Sequence, residues 1–139
     1  MARAAEATFS QRLTDISQLV LLVAGGQQER AAALAITLVP QLLQAGTTPQ
    51  AWTAMRHVAD LLGQIGEPGL GLLVLESADD DIGAPAVVGT AINAHDALRD
   101  RLRAEAGSTE PVMPLSLGAL WAEVEIPLRR CVPTGPLSG

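Results

Sequence analysis

His57 and His95 are the two histidines of the chain, and an imidazole is the side chain best suited to acid–base work near neutral pH. They fall on separate predicted helices, and neither stands beside a serine or cysteine in a nucleophile motif. His95 lies on an apolar stripe, where a satisfied histidine at the edge of the core is expected; His57 follows Arg56 on a helix that packs its other side. Asp60 and Glu76 are the candidate carboxylate pair, but nothing in their spacing requires them to converge. Asp79, Asp80 and Asp81 stand in a row. Calcium loops alternate ligands with spacers and close on a glutamate, so this contiguous run reads as a solvated turn rather than a metal site. Gly25-Gly26 lacks the preceding strand and the Lys-Ser or Lys-Thr of a phosphate loop and reads as a helix-ending turn. Cys131 is the lone cysteine, which excludes an internal disulfide and agrees with a reducing compartment. No catalytic residue, cofactor or metal ligand is assigned. The chemistry left is recognition.

The elements that would position these residues are helices. The chain has 139 residues, enough for one domain with a real core, and is 48% hydrophobic but only 2% aromatic. Alanine, leucine and valine must therefore fill the interior, which favours close helix packing over a sheet. Trp52 and Trp121 read as the largest core wedges, with ligand stacking as the alternative. All nine basic residues are arginine and the net charge is −6, which argues against direct nucleic-acid binding. The longest apolar run, Leu19 to Ala24, is far short of the roughly 20 residues of a bilayer span, and no signal peptide opens the chain. A cytoplasmic protein without membrane contact is expected.

The central stretch, Trp52 to Ala78, reads as a helix–turn–helix unit. Thr48 as N-cap and Pro49 in the first turn start a helix with Trp52, Met55, Val58, Ala59 and Leu62 on one stripe. Gly66 ends it, Pro68 opens the next, and Leu72, Leu75 and Ala78 face back across the turn. The alternation of large and small residues at Met55, Val58, Ala59, Leu62, Gly71, Leu75 and Ala78 has the spacing of a tetratricopeptide repeat. Upstream, Phe9, Leu13, Ile16, Val20 and Val23 mark an amphipathic helix, and Ala31, Leu34, Ala35, Leu38 and Leu42 a second. Pro40 predicts a kink, or a break after Val39. Downstream, Val87 to Ala106 reads as a helix with Ala91, His95, Leu98 and Leu102 on one stripe, supported by Asp96–Arg99, Asp100–Arg103 and Arg101–Glu105 pairs. Ser116 caps a last helix burying Leu117, Leu120, Trp121 and Val124, expected to end near Glu125 because Pro127 follows.

The predicted fold is all-α: antiparallel helix pairs stacked as a short tetratricopeptide-like α-solenoid of about six helices. Residues 1–130 form one helical-repeat domain with pairs near 10–45, 48–79 and 88–126, and residues 131–139 form a flexible tail. On such a helix pair the first helix lines the groove, which places Thr53, Arg56, Asp60 and Gln64 on a partner-binding face. Arg56 and Asp60 can also simply pair with each other at i, i+4. The apolar face around Leu19 and Leu22 lacks a polar cap, so self-association is expected there.

The segments A-W-T-A-M-R-H-V-A-D-L-L-G-Q-I-G-E-P (51–68), A-D-D-D-I-G-A-P-A-V-V-G (78–89), A-L-R-D-R-L-R (97–103) and G-A-L-W-A-E (118–123) resemble the C-terminal helical-repeat region of ATPase-containing transcriptional regulators of the LuxR and AfsR type. That resemblance implies a sensing or protein-binding α-solenoid. Neither a Gly-Lys-Thr phosphate loop nor a basic recognition helix occurs in the sequence, so the implied function is interaction or regulation. The expected partner is a protein segment or the chain's own copy, as a homo-oligomer. The alternative is a small-ligand sensor whose pocket lies between helix pairs, with His57 or His95 and a tryptophan at the ligand.

Overall fold

The computed structural model describes residues 2–87, 89, 91–107 and 113–132, with side chains from Ser10 onward. Six α-helices follow one another: α1 (Ala2–Ala24), α2 (Gln28–Ala45), α3 (Thr48–Gln64), α4 (Pro68–Asp80), α5 (Ala91–Ala106) and α6 (Leu117–Cys131). No strand occurs among the described residues. None of the described helices is long and apolar enough to cross a membrane.

The turns between the first four helices follow from local chemistry. At the end of α3 the chain enters the left-handed region at Gly66 (φ 90°), so the Glu67 amide donates to the Leu62 carbonyl at 2.8 Å and the Gly66 amide to Gly63 at 3.3 Å. Gly46 (φ 71°) closes α2 with the same pair of bonds, from Thr47 to Leu42 and from Gly46 to Leu43. Pro68 opens α4 and Pro49 sits in the first turn of α3, where no amide donor is needed. Thr48, expected as the N-cap, is instead the first helical residue. Thr47 holds the cap position, and its hydroxyl turns back to donate to the Leu42 carbonyl at 3.2 Å.

The core is aliphatic apart from two indoles, Trp52 and Trp121. Trp52, Met55, Val58, Leu61 and Leu62 of α3 are fully buried, and Leu19, Leu38, Leu42, Leu75, Leu120 and Leu128 close around them from the other helices. α1 packs on α2 and α3, α2 on α3, α3 on α4, and α5 on α4 and α3. α6 does not pair with α5, as the expected third pair required. Among the described residues it touches α2, α4 and α3. Its approach is anchored by buried Ser77, whose hydroxyl accepts the Leu115 amide at 2.9 Å. Ser116 then caps α6 as expected, accepting from the Ala119 amide.

Other expectations are corrected. α2 runs through Pro40 and α6 through Pro127, the latter well past Glu125. An interior proline costs about 3 kcal/mol of helix stability. Beyond the two prolines, however, lie fully buried Leu42 and Leu128, and burying one such side chain is worth about 1.5–3 kcal/mol. On α1 the buried stripe is Ile16, Leu19, Leu22 and Val23, while Leu13 is 44% exposed and the Phe9 side chain lies outside the described residues. Leu19 and Leu22, assigned to an uncapped surface for self-association, are 0% and 9% exposed within the chain; the outward apolar residue of that turn is Leu21. α5 begins at Ala91 rather than Val87, and Leu102 is its one fully buried residue. Cys131 belongs to α6, whereas the rest of the expected tail, 133–139, lies outside the described residues.

Candidate functional site

Burying one stripe of α3 leaves another uncovered. Thr53, Arg56, His57 and Asp60 recur at helical spacing on the side away from Met55, Ala59 and Leu62. Across from them α5 presents Ala91, Ala94, His95, Leu98 and Arg101, and Pro85, Ala86 and Val87 complete the wall. Together they enclose a groove of about 610 Å³. Ala91, Ala94 and Ala97 are exposed, so the groove opens along the α5 edge.

Three of the four residues assigned to partner contact therefore share one groove. The fourth does not. The Gln64 amide donates to the Val23 carbonyl at 2.9 Å, and Gln28 donates to the Gln64 carbonyl at 3.4 Å, so Gln64 ties α3 to the α1–α2 junction. Arg56 and Asp60 do not pair with each other. Asp60 accepts from Arg101 Nη2 at 2.6 Å, whereas Arg56 faces Asp79 at 3.7 Å and donates to the Pro85 carbonyl. Thr53 donates to the Pro49 carbonyl of its own helix at 3.0 Å.

The acidic run is more than a solvated turn. Asp79 gathers Arg56, Arg99 and His95, with His95 Nε2 at 3.6 Å, and Asp81 Oδ1 accepts the Gly83 amide at 2.7 Å. Glu76, one turn earlier on α4, lies 3.2 Å from Arg99 Nε and 3.5 Å from Arg103 Nη2. Two of the three intrahelical pairs expected on α5 are thus replaced by bonds to α4; only Arg101–Glu105, at 3.8 Å, forms as expected. Asp60 and Glu76 receive different arginines and do not form a carboxylate pair.

Both histidines line the groove, which their placement on separate helices did not foretell. Burial pushes the His95 pKa below its ordinary value, with Arg56 adding to the effect and Asp96 and Glu76 opposing it. Burial likewise lowers His57, against the pull of Asp60. His95 Nε2 stands between Arg99 Nη2, at 3.3 Å, and Asp79 Oδ1, at 3.6 Å. Arg56 is itself lowered by burial and by the neighbouring Arg99. The result is a groove of small apolar side chains with two imidazoles and paired charges. Such a surface can grip and orient a partner. Thr53, which bonds within its own helix, is the one hydroxyl lining the groove among the described residues.

Cys131 sits apart, in a hollow with Gln28, Gln64 and Pro127. Burial, then Glu29, raises its pKa, which favours the protonated thiol. Among the described residues no group of three or more His, Cys, Asp or Glu side chains is placed to hold a metal ion. Trp52 and Trp121 are buried in the core and do not line the groove. The groove, on an all-α scaffold, defines the candidate site. Comparison with protein-family models, with curated proteins and with solved structures finds no match.

Proposed function

We propose that this chain is a non-enzymatic recognition module, a short tetratricopeptide-like α-solenoid of antiparallel helix pairs that binds a protein segment or its own copy in the groove between α3 and α5. In this reading it is related to the LuxR and AfsR type of transcriptional regulator and serves as an interaction part, with no ATPase or DNA-binding part in these 139 residues. One observation carries the proposal. Thr53, Arg56 and Asp60, assigned to the recognition face by the tetratricopeptide resemblance, open onto a single groove beside the exposed alanines of α5. The order of contacts supports the solenoid part: α3 rests on both α1 and α2, and α5 on both α3 and α4, as each new repeat rests on the pair before it. α6 departs from that order by folding onto α2 and α4.

A second reading, the small-ligand sensor, is favoured by the two histidines that share the groove, whose volume falls in the range of about 300–1,000 Å³ usual for small-molecule sites.

The two readings separate in a peptide-display selection on the purified chain, counter-selected with Ala94→Arg, a change that obstructs the groove without touching the ion-pair cluster. Peptides that bind the wild type and not the variant support the interaction module. A small molecule retained in native mass spectrometry of the wild type alone, with no groove-dependent peptide, supports the sensor instead.

A further inference from the structure

Of the six helices α5 is the least embedded: only Leu102 of its sixteen residues is fully buried, against eight of seventeen in α3. What holds it is a matched set of charges around that leucine. Arg99 meets Glu76 and Asp79, Arg103 meets Glu76, and Arg101 meets Asp60. Leu102 itself drops between two glycines: a Cβ on Gly63 would stand 2.6 Å from Leu102 Cδ2, and one on Gly71 would stand 3.3 Å from Cδ1. α5 touches α3 and α4 and, among the described residues, not α6, so its removal leaves the α6 contacts with α2, α3 and α4 in place.

We propose that α5 is a releasable helix, and that its seat on α3 and α4, a glycine-walled socket ringed by Asp60, Glu76 and Asp79, receives the α5 helix of a second copy of this chain. Within one chain the fit rests on the three arginines of α5, Arg99, Arg101 and Arg103, which meet the seat's carboxylates, and on the single leucine that the socket accepts. A copy that accepts its neighbour's α5 has its groove wall, His95, Leu98 and Arg101 included, supplied from outside. The occupant rests on the own-copy reading of the proposed function; the seat does not.

The test uses a fluorescent peptide of the α5 sequence, residues 91–106, titrated into the full-length chain and followed by anisotropy, with light scattering of the chain alone. In the Leu102→Ala chain the tethered competitor is weakened and the seat is intact, so the wild-type peptide binds it about tenfold more tightly than it binds the wild-type chain. Raising the salt weakens binding, a Leu102→Ala peptide fails to bind, and Glu76→Arg in the chain abolishes the interaction. The wild-type chain alone shows a dimer fraction that grows with concentration. If Leu102→Ala does not fold, Arg101→Glu loosens α5 and serves in its place. Absence of peptide binding to either loosened chain overturns the seat. Peptide binding by a chain that stays monomeric at every concentration overturns the second copy as occupant. Failure of the peptide-display selection leaves both readouts intact, so the two readings fail separately.

Discussion

Leu102 of α5 occupies the space that a side chain on Gly63 of α3 would need, with Leu102 Cδ2 only 2.6 Å from where that Cβ would stand. Gly71 of α4 forms the opposite wall, and there a Cβ would also come within 2.7 Å of the Ala59 backbone carbonyl oxygen. Two small residues thus let α3 and α4 approach each other and receive a third helix between them. Three helices meet at one leucine.

The two glycines will respond differently to alanine. At Gly71 the obstacle is backbone, so Gly71→Ala separates α3 from α4 and lowers global stability by about 1–3 kcal/mol in urea unfolding. At Gly63 the obstacle is the end of a flexible side chain, and alanine gains about 1 kcal/mol of helix propensity. Gly63→Ala should leave the global midpoint nearly unchanged while amide exchange within α5 accelerates. Equal losses at the two sites would contradict the packing described.

The continuity of α6 past Pro127 makes Leu128 a core residue, with no exposed surface. Leu128→Ala is expected to cost about 2–5 kcal/mol, as other buried leucine truncations do, measured by denaturant midpoint at unchanged slope. A helix ending near Glu125 would make the same change nearly silent.

Pro40 lies inside α2, where the Ile36 carbonyl lacks the amide that would otherwise bond to it. Pro40→Ala restores the donor and should stabilise the chain, by up to about 3 kcal/mol less whatever entropy the unfolded chain regains. A destabilised variant would show that the proline shapes the helix in a way the core requires.

These prolines mark where reading the sequence fell short. Helix stop signals are local, whereas Leu42 and Leu128 are held by residues far along the chain, and that packing overrides them. Local signals sufficed where nothing opposed them: Gly66 and Pro68 set the α3–α4 turn, and the buried stripe of α3 left Thr53, Arg56 and Asp60 on the outer face. On α1, leucines and valines run together from Leu19 to Val23, so periodicity could not choose between faces and misplaced Leu19 and Leu22. The Asp79 cluster was the hardest to see. Glu76 and Asp79 at i, i+3 and His95, Arg99 and Arg103 at steps of four are each ordinary surface patterns, and only the docking of α5 on α4 turns them into one network.

Both histidines titrate below their ordinary value of 6.5 in the folded chain, because burial penalises the charged ring. The unfolded chain then binds more protons in the window between the folded pKa values and 6.5. Their contribution to stability is complete above that window and is lost as the pH falls through it. Unfolding free energy should therefore fall as the pH drops through and below 6.5, and the fall should be shallower in a His57→Gln, His95→Gln double variant. An unchanged slope in the double variant would place both rings in water.

Recognition through the α3–α5 groove is tested most directly by amide chemical-shift mapping of the isotope-labelled chain, over a concentration series and with groove-selected peptides. Shifts are expected to cluster at Thr53, Arg56, Asp60, Ala94 and Leu98 and to vanish in Ala94→Arg. Shifts confined to α1 and α6, or no shifts with any peptide at any concentration, would contradict recognition at this groove.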